Sequence, residues 1–323
     1  MYEIVSLADV KSWLGITGTA EDTLLEQFRK AVTLIVENYI GKKIVTRQFT
    51  DFYNGTGKNT LLLKNYPIYV IYDDTTTPEE PTNITVYDDY DREFGSDDQI
   101  DASDLIVFAD IGQIALYDDE ASFYKAVQNV KVVYWAGYTR FHIIDGANNY
   151  IDIKESGGSE VSVVIPEAVC RDTNWPGYSA EDMASKIQTE LNANASLLLT
   201  YTVDYSHATQ KFTISANGTF DLLFSTGTNS EKSIASLIGF SATDKTGGTS
   251  YTSNNTVIGV PYDLTLASQQ IIDLLWQQAA AGKGLLLQLT KSLPNNMGTV
   301  KLIVDQLPPI AKEILESYRR RLL

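Results

Sequence analysis

The chain contains 323 residues, 44% of them hydrophobic and 20% charged, which predicts a globular protein of about two domains. A single cysteine, Cys170, excludes an internal disulfide, and two histidines, His142 and His207, make zinc sites and histidine-based triads unexpected. The formal net charge of −16 argues against sequence-specific DNA binding, and no apolar run reaches the ~20 residues that span a membrane.

Two helices are predicted at the start of the chain, over residues 6–15 and 22–40. Residues 6–9 and 19–22 both have the form of a capping box, in which a hydroxyl side chain accepts a helix N–H and an acid follows three residues later. The second helix has a wide apolar face at helical spacing, and Gly41 offers a left-handed end. These helices are predicted to form the scaffold of a core domain.

Short alternating stretches then predict an antiparallel, β-rich sheet. The predicted strands are residues 48–53, 60–64, 68–72, 83–87, 103–108, 112–117 and 129–135. Within this part of the chain, the window from Asp73 to Glu120 contains sixteen acidic residues and one basic residue, Arg92. The plainest interpretation of the window is a solvated acidic surface.

Near residue 140 the composition changes to a region rich in Ser, Thr, Asn and Gly. Strands are predicted at 150–154 and 160–165, a helix at 179–194, a hairpin of 198–205 with 211–215, and a short helix at 231–238. Helices follow at 261–281 and 309–322, with a hairpin of 285–289 and 300–304 between them. The predicted fold class is therefore α+β: a discontinuous core domain (1–139 and 260–323) with about four helices and an antiparallel sheet, and an inserted β-rich α+β domain (140–259).

Several motifs occur in a fixed order along the predicted core. They are Trp13-Leu14, Tyr39-Ile40-Gly41-Lys42, Tyr53-Asn54-Gly55, the stretch from Leu61 to Pro67, Tyr134-Trp135-Ala136-Gly137-Tyr138, the stretch from Val260 to Leu264, and Leu307-Pro308 with Tyr318-Arg319-Arg320. In this order the chain resembles the head-tail connector (adaptor) proteins of long-tailed bacteriophages. The insertion departs from that family, and its Tyr150-Ile151-Asp152, Gly218-Thr219-Phe220 and Leu237-Ile238-Gly239-Phe240 elements resemble modules of phage virion structural proteins.

The resemblance implies a structural protein of the virion neck, assembled in the host cytoplasm. Identical subunits, twelve to match the portal, would form a ring on the portal protein and continue the DNA channel. The ring would offer a platform for the next neck or tail-completion protein, and double-stranded DNA would pass without sequence-specific binding. Neither enzymatic chemistry nor a cofactor is expected.

The terminal helix is the candidate portal-docking element, in the mode of a helix entering a groove. Its candidate residues are Ile314, Leu315, Tyr318, Arg319, Arg320, Arg321 and Leu322. The alternative is that this apolar face packs on its own domain.

A second candidate is a run of acidic side chains, Asp88, Asp89, Asp91, Glu93, Asp97 and Asp98. In a ring they would line the DNA channel and repel phosphates. A calcium site is disfavoured, because counting from Asp89 the sixth position of the EF-hand pattern is Phe94 where that pattern requires glycine. No metal site is predicted.

Two other function classes remain open on the sequence. The Ser/Thr/Tyr-rich insertion would suit a receptor- or glycan-binding virion protein. A hydrolase with paired carboxylates is disfavoured, because no positioned pair is evident. The Gly55-Thr56-Gly57-Lys58 stretch lacks the spacing of a phosphate-binding loop and is predicted to be a hairpin turn.

Overall fold

The fold is described from a computed structural model, which covers residues 3–73, 80–118, 120–169, 177–280 and 307–319. It is α+β, as predicted. Its helices are α1 (Leu7–Leu14), α2 (Asp22–Ile40), α3 (Ala180–Ala193), α4 (Tyr262–Ala280) and α5 (Pro309–Tyr318). The chain divides into two compact units, a helical unit of Met1–Val45 with Val260–Leu323 and a β-rich unit of Thr46–Gly259.

Side-chain caps begin two of the helices as predicted. Ser6 Oγ accepts the N–H of Asp9 at 3.0 Å and donates to the Asp9 carboxylate at 2.6 Å, and α1 ends at Gly15 in the left-handed conformation. Ser179 and Asp182 make the same pair of contacts at the start of α3. Each cap satisfies a helix N–H that would otherwise lack an acceptor.

The predicted cap of α2 is wrong. The helix begins at Asp22 after Glu21, whose side chain makes no capping hydrogen bond. Thr19 lies two residues before this cap position and provides only a backbone acceptor, to the N–H of Asp22 at 3.2 Å. The Asp22 carboxylate instead accepts from Lys11 Nζ at 2.7 Å. The predicted end is confirmed, because Gly41 is left-handed and its N–H donates to Glu37.

The helical unit buries one face of each helix. The buried apolar side chains include Leu25, Phe28, Val32 and Val36 of α2, Leu264, Ala267, Ile271 and Leu275 of α4, and Ala311 and Leu315 of α5. Burying one such large side chain contributes about 1.5–3 kcal/mol. The apolar residues that recur at i, i+3 and i+4 in the sequence are therefore the residues through which the helices of this unit pack.

The first half of the β-rich unit consists of short antiparallel strands. They are β1 (Arg47–Tyr53), β2 (Thr60–Leu62), β3 (Ile68–Tyr69), β4 (Tyr72–Asp73), β5 (Glu80–Pro81), β6 (Thr85–Asp88), β7 (Leu105–Phe108), β8 (Gln113–Leu116) and β9 (Val130–Ala136). One sheet has the order β1-β9-β3, with β6 also paired to β9, and a second has the order β2-β8-β7. The buried faces of these strands share one hydrophobic cluster, from Leu61 to Ala136.

The second half has its own hydrophobic cluster, from Phe141 to Phe240. Its strands are β10 (Tyr150–Glu155), β11 (Glu160–Val164), β12 (Tyr201–Ser206), β13 (Lys211–Leu222) and β14 (Lys245–Thr252). They form a sheet of order β11-β10-β13-β12 with β14 also paired to β13, and α3 packs against it. The predicted insertion, residues 140–259, holds this cluster and this sheet.

In this half one prediction is wrong and one strand was not predicted. Residues 231–238 form a short 3-10 turn, Ser230–Lys232, followed by further turns; Ile234 and Ile238 are buried there without an α-helix. β14 was not predicted, because its Gly- and Thr-rich sequence lacks apolar alternation.

Three passages of the chain meet where the two halves join. The backbone N–H of Thr46 donates to Thr139 Oγ1, and the hydroxyl of Thr46 donates to the Thr139 carbonyl, both at 2.8 Å. The N–H of Arg140 donates to the carbonyl of Gly259 at 2.9 Å. Residues 140 and 259 are therefore hydrogen-bonded neighbours. Gly259 has φ +70°, and a Cβ there would lie 2.7 Å from the Arg140 carbonyl oxygen.

The predicted hairpin of 285–289 and 300–304 and Cys170 lie outside the described residues. None of the helices in the described part of the chain is both long and apolar enough to cross a membrane.

Candidate interaction surfaces

The terminal helix α5 packs two of its predicted docking residues, Leu315 and Tyr318, within its own unit. Leu315 is fully buried and Tyr318 is only 7% exposed. The Tyr318 hydroxyl lies 2.7 and 2.8 Å from the two carboxylate oxygens of Asp263 and donates its one hydrogen to that carboxylate. These contacts correct the prediction for Leu315 and Tyr318, because both side chains hold α5 against α4 and α2.

The remaining side of α5 is exposed. Ile310 is 57% exposed and Ile314 is half-buried. Arg319 is exposed, lies 3.7 Å from Glu316 and places its guanidinium over the ring of Tyr39. Burial, together with the hydrogen bond that the Tyr39 hydroxyl donates to Glu316, raises the pKa of Tyr39 to about 12. The predicted residues Arg320, Arg321 and Leu322 lie outside the described residues.

In the acidic loop, Asp89 has a structural role. It is buried, and its carboxylate accepts the backbone N–H groups of Phe94 at 2.8 Å, Asp91 at 2.7 Å and Glu93 at 2.5 Å. The hydrogen bond from Phe94, supported by the others, lowers the pKa of Asp89. Asp89 therefore shapes the loop rather than presenting its charge to solvent.

Asp88 joins this loop to the turn at residues 124–129. Its carboxylate accepts the N–H of Tyr124 and the side-chain amide of Asn129, both at 2.8 Å. Burial raises the pKa of Asp88, and these two hydrogen bonds oppose that rise. Asn129 is fully buried and accepts the N–H of Gly55 at 2.8 Å, so one side chain ties together the 55, 88 and 124 segments.

The other predicted acids reach the surface. Asp91, Glu93 and Asp97 are exposed, whereas Asp98 is half-buried and accepts the N–H of Gly95 at 2.9 Å. In the part of the chain that the structure covers, no three Asp, Glu, His or Cys side chains are grouped so that they could hold a metal ion.

A groove lies between the acidic loop and the 124–129 turn, with a volume of about 360 Å³. We call it the cationic groove; it is lined by Tyr90, Asp91, Arg92, Lys125, Ala126 and Val127. Tyr90 is 68% exposed, and Arg92 and Lys125 make no ion pair with any described carboxylate. Sequence reasoning noted Arg92 as the single base of the acidic window but did not place it beside Lys125, because the two residues are 33 positions apart in the sequence.

The sheet of β2, β8 and β7 has an apolar face directed to solvent, which we call the outer sheet face. Its solvent-facing residues are Leu62, Asp104, Ile106, Phe108 and Gln113, and Ala115 lies on the same side of the sheet but is buried. Leu62 is 57% and Phe108 is 41% exposed. Burial alternates along β7: Leu105 and Val107 are buried, whereas Ile106 and Phe108 are exposed. Because successive side chains of a strand point to opposite faces, four consecutive apolar residues in the sequence could have indicated an apolar outer face.

Other polar side chains serve the fold. In the second half of the β-rich unit, buried Asp152 accepts from Ser162 at 2.6 Å and from the N–H of Asn229 at 2.5 Å. His207 Nε2 lies 2.5 Å from a Glu181 carboxylate oxygen. The predicted hairpin turn at Gly55 is wrong, because β1 pairs with β9 whereas β2 pairs with β8 in a different sheet. A Cβ at Gly55 would lie 1.8 Å from the Tyr124 carbonyl oxygen. Receptor or glycan binding by residues 140–259 stays a prediction.

Comparison with known proteins gives one family. The family model described as Head completion protein matches residues 3–146. No curated protein matches the chain. The matched residues include α1, α2 and all of the strands β1 to β9. The match to the head completion protein family confirms, for residues 3–146, the resemblance to phage head-tail connector proteins and indicates a structural role in a phage virion.

Proposed function

We propose that this protein is an adaptor of the phage neck. Identical subunits, twelve if they match the portal, form a ring that docks on the portal protein and continues the DNA channel. The ring offers a platform for the next neck or tail-completion protein. The observation that carries the proposal is the match of residues 3–146 to the head completion protein family.

The exposed side of α5 is the proposed portal contact. Leu315 and Tyr318 are buried, so docking uses Ile310, the half-buried Ile314 and Arg319, continued by Arg320, Arg321 and Leu322. An exposed apolar side chain beside arginines is typical of an interface centre with a polar rim. The buried residues fix the helix, and the exposed residues bind the partner.

The exposed acids of the loop are the proposed channel lining. Asp91, Glu93 and Asp97 have their charges in solvent, with Asp98 partly so. Negative side chains facing DNA lack the cationic contacts on which phosphate binding depends, so the genome slides past without adhering. Asp88 and Asp89 support this lining by holding the loop.

Residues 140–259 are the proposed inserted domain, on a core domain of 1–139 and 260–323. The hydrogen bond from Arg140 N to the Gly259 carbonyl supports this, because a segment whose ends meet can be added to a domain without separating its neighbours. The segment also has its own hydrophobic cluster and sheet. In the assembled ring it projects outward.

Negative-stain electron microscopy of the protein mixed with its candidate portal protein tests docking. We expect a ring stacked coaxially on the portal, and we expect the double variant Ile310→Asp with Arg319→Glu to lose it. The matched control is Thr202→Asp, an exposed change on β12, which should dock normally. Wild-type monomers that ignore the portal would contradict the proposal.

The channel is tested separately in assembled particles. Asp91→Asn, Glu93→Gln and Asp97→Asn together should slow genome packaging or ejection, because they remove the repulsion between wall and phosphates. Unchanged packaging and ejection would count against a channel-facing loop while leaving the docking proposal intact.

Replacing residues 141–258 by a short Gly/Ser linker tests the insertion. The remaining chain should fold and still dock on the portal, since the linker only has to join two residues that already touch. A replaced chain that unfolds would show that the second hydrophobic cluster is required by the rest of the β-rich unit.

A further inference from the structure

The cationic groove holds positive charge where the sequence is most acidic. Arg92 is the one base among sixteen acids between Asp73 and Glu120, and its groove partner Lys125 follows that window. No described carboxylate pairs with either side chain, although Asp91 lines the same groove. Two exposed, unpaired cations converge there beside the apolar surfaces of Tyr90 and Val127.

The backbone around this groove is fixed in an unusual conformation. Arg92, Phe94 and Gln128 have φ values of 66°, 54° and 54°, the left-handed region that costs non-glycine residues about 1–2 kcal/mol each. The bonds to Asp89 hold the loop, and the N–H of Gln128 donates to Asn54 at 2.9 Å. The groove is thus built before any partner arrives, which lowers the entropy cost of binding.

The outer sheet face has complementary chemistry. The cross-strand register places Leu62, Gln113 and Phe108 in one row and Thr60, Ala115 and Ile106 in the next. Asp104 lies on the same side of β7 as Ile106, two residues earlier, and both Asp104 and Asp101 are exposed. The face is therefore an apolar centre with acids at one end.

We infer that the outer sheet face of one copy of this chain docks against the cationic groove of a second copy. The acids Asp101 and Asp104 meet Arg92 and Lys125, and the apolar centre covers Tyr90. Charge complementarity favours a second copy as the partner, because its acids meet the two cations of the groove, whereas other contacts between copies would bring acidic surfaces together. The inference rests on the proposed ring and names its subunit contact.

A contact between two different surfaces has a consequence for assembly. Each copy keeps one groove and one face unused after pairing, so a third copy can add in the same way. If the rotation that relates each copy to the next adds up to a full turn, the last copy binds the first and a ring forms. The same sheet and loops thus provide both halves of one repeated interface.

Zero-length carbodiimide cross-linking of a mixture of unlabelled and ¹⁵N-labelled protein tests the contact directly. The expected product joins Lys125 of one isotope to Asp104 or Asp101 of the other, identified by mass spectrometry. The cross-linking is done on the concentrated protein and again on the protein mixed with its portal. Absence of this product in both samples would overturn the inference.

Charge reversal provides the second arm, with self-association measured by sedimentation velocity and ring formation by electron microscopy. Arg92→Glu with Lys125→Glu, and separately Asp101→Lys with Asp104→Lys, should each weaken assembly by about tenfold or more. Combining all four changes should restore it. Asp204→Lys on β12 is the matched control, and circular dichroism checks that every variant is folded.

The outcomes separate this inference from the proposed function. Rings that form equally well in both reversed variants overturn the inference and leave the adaptor role standing. The intermolecular cross-link without any ring, alone or on the portal, supports the contact and overturns the ring. If the variant with all four charge reversals assembles again, the result supports both the proposed contact and the proposed ring.

Discussion

The terminal helix and the acidic loop are both predicted surface sites, and the fold uses their residues in different ways. In α5 the apolar face is taken by the helix's own unit, with Leu315 fully buried. In the loop, Asp88, Asp89 and Asp98 accept backbone N–H groups, while Asp91, Glu93 and Asp97 are exposed to solvent. In α5 the core takes the side chains on one line of the helix, Leu315 and Tyr318, and leaves Ile310 exposed. In the loop, backbone and side-chain N–H groups bind individual carboxylates.

The largest expected effect tests the helical half of this comparison. Leu315→Ala should lower the free energy of unfolding of the helical unit by about 3–5 kcal/mol, because it leaves a cavity at a fully buried site. Ile310→Ala, at an exposed site of the same helix, should change it by less than about 0.5 kcal/mol. Urea unfolding followed by circular dichroism measures both, and equal effects would show that α5 is not packed as described.

The corresponding test of the loop is Asn129→Ala. This change leaves the N–H of Gly55 and the carbonyl of Tyr124 without their partner, at a cost of about 2–4 kcal/mol. Asp91→Ala, with an exposed side chain, is the control and should cost less than about 0.5 kcal/mol. Calorimetric unfolding compares the two variants. If Asn129→Ala does not lower the stability, the Asn129 hydrogen bonds are not needed to hold the three segments in place.

A single hydrogen-bonding group tests the terminal helix more finely. Tyr318→Phe keeps the buried ring but removes the hydroxyl that donates to Asp263, so we expect a loss of about 1–2 kcal/mol. Tyr262→Phe, on the exposed start of α4, is the matched control. The same urea experiment applies, and no difference between the two variants would contradict the described contact.

The smallest effect depends on pH. The folded-state pKa of Asp89 is lowered, so the stability that its carboxylate contributes is full above the unfolded value of about 3.9 and is lost as pH falls through the folded value. Asp89→Asn should therefore lower the unfolding temperature at pH 7, and the difference from wild type should shrink below about pH 4. A difference independent of pH would assign the effect to packing.

The sequence was informative wherever the determinants of structure are local. The capping pairs Ser6 with Asp9 and Ser179 with Asp182, the apolar period of α2 and α4, and most strands were predicted from short spacings. The cap at Thr19 failed because the backbone at Glu21 is already helical. β14 was missed because its pairing with β13, rather than its own pattern, makes it a strand.

The candidate sites depend on contacts between distant residues, which spacing does not reveal. Asn129 reaches Gly55 across 74 positions and Asp88 across 41. The cationic groove lies beside this network, which joins the Asp88 and Tyr124 segments that flank Arg92 and Lys125 in the sequence. Composition identified the acidic window correctly, but which of its charges are free follows from the N–H groups around them.

The junction at Thr46, Thr139, Arg140 and Gly259 bears on how such a gene can change. In the proposed division into a core and an insertion, a segment that leaves and returns at one hydrogen bond can be gained, lost or exchanged in a single recombination event, without altering the register of strands β1 to β9. Closing a short loop in its place costs no more chain entropy than closing the long one. On that proposed division, the segment between Arg140 and Gly259 can be exchanged for another module while the rest of the chain keeps its sequence and its fold.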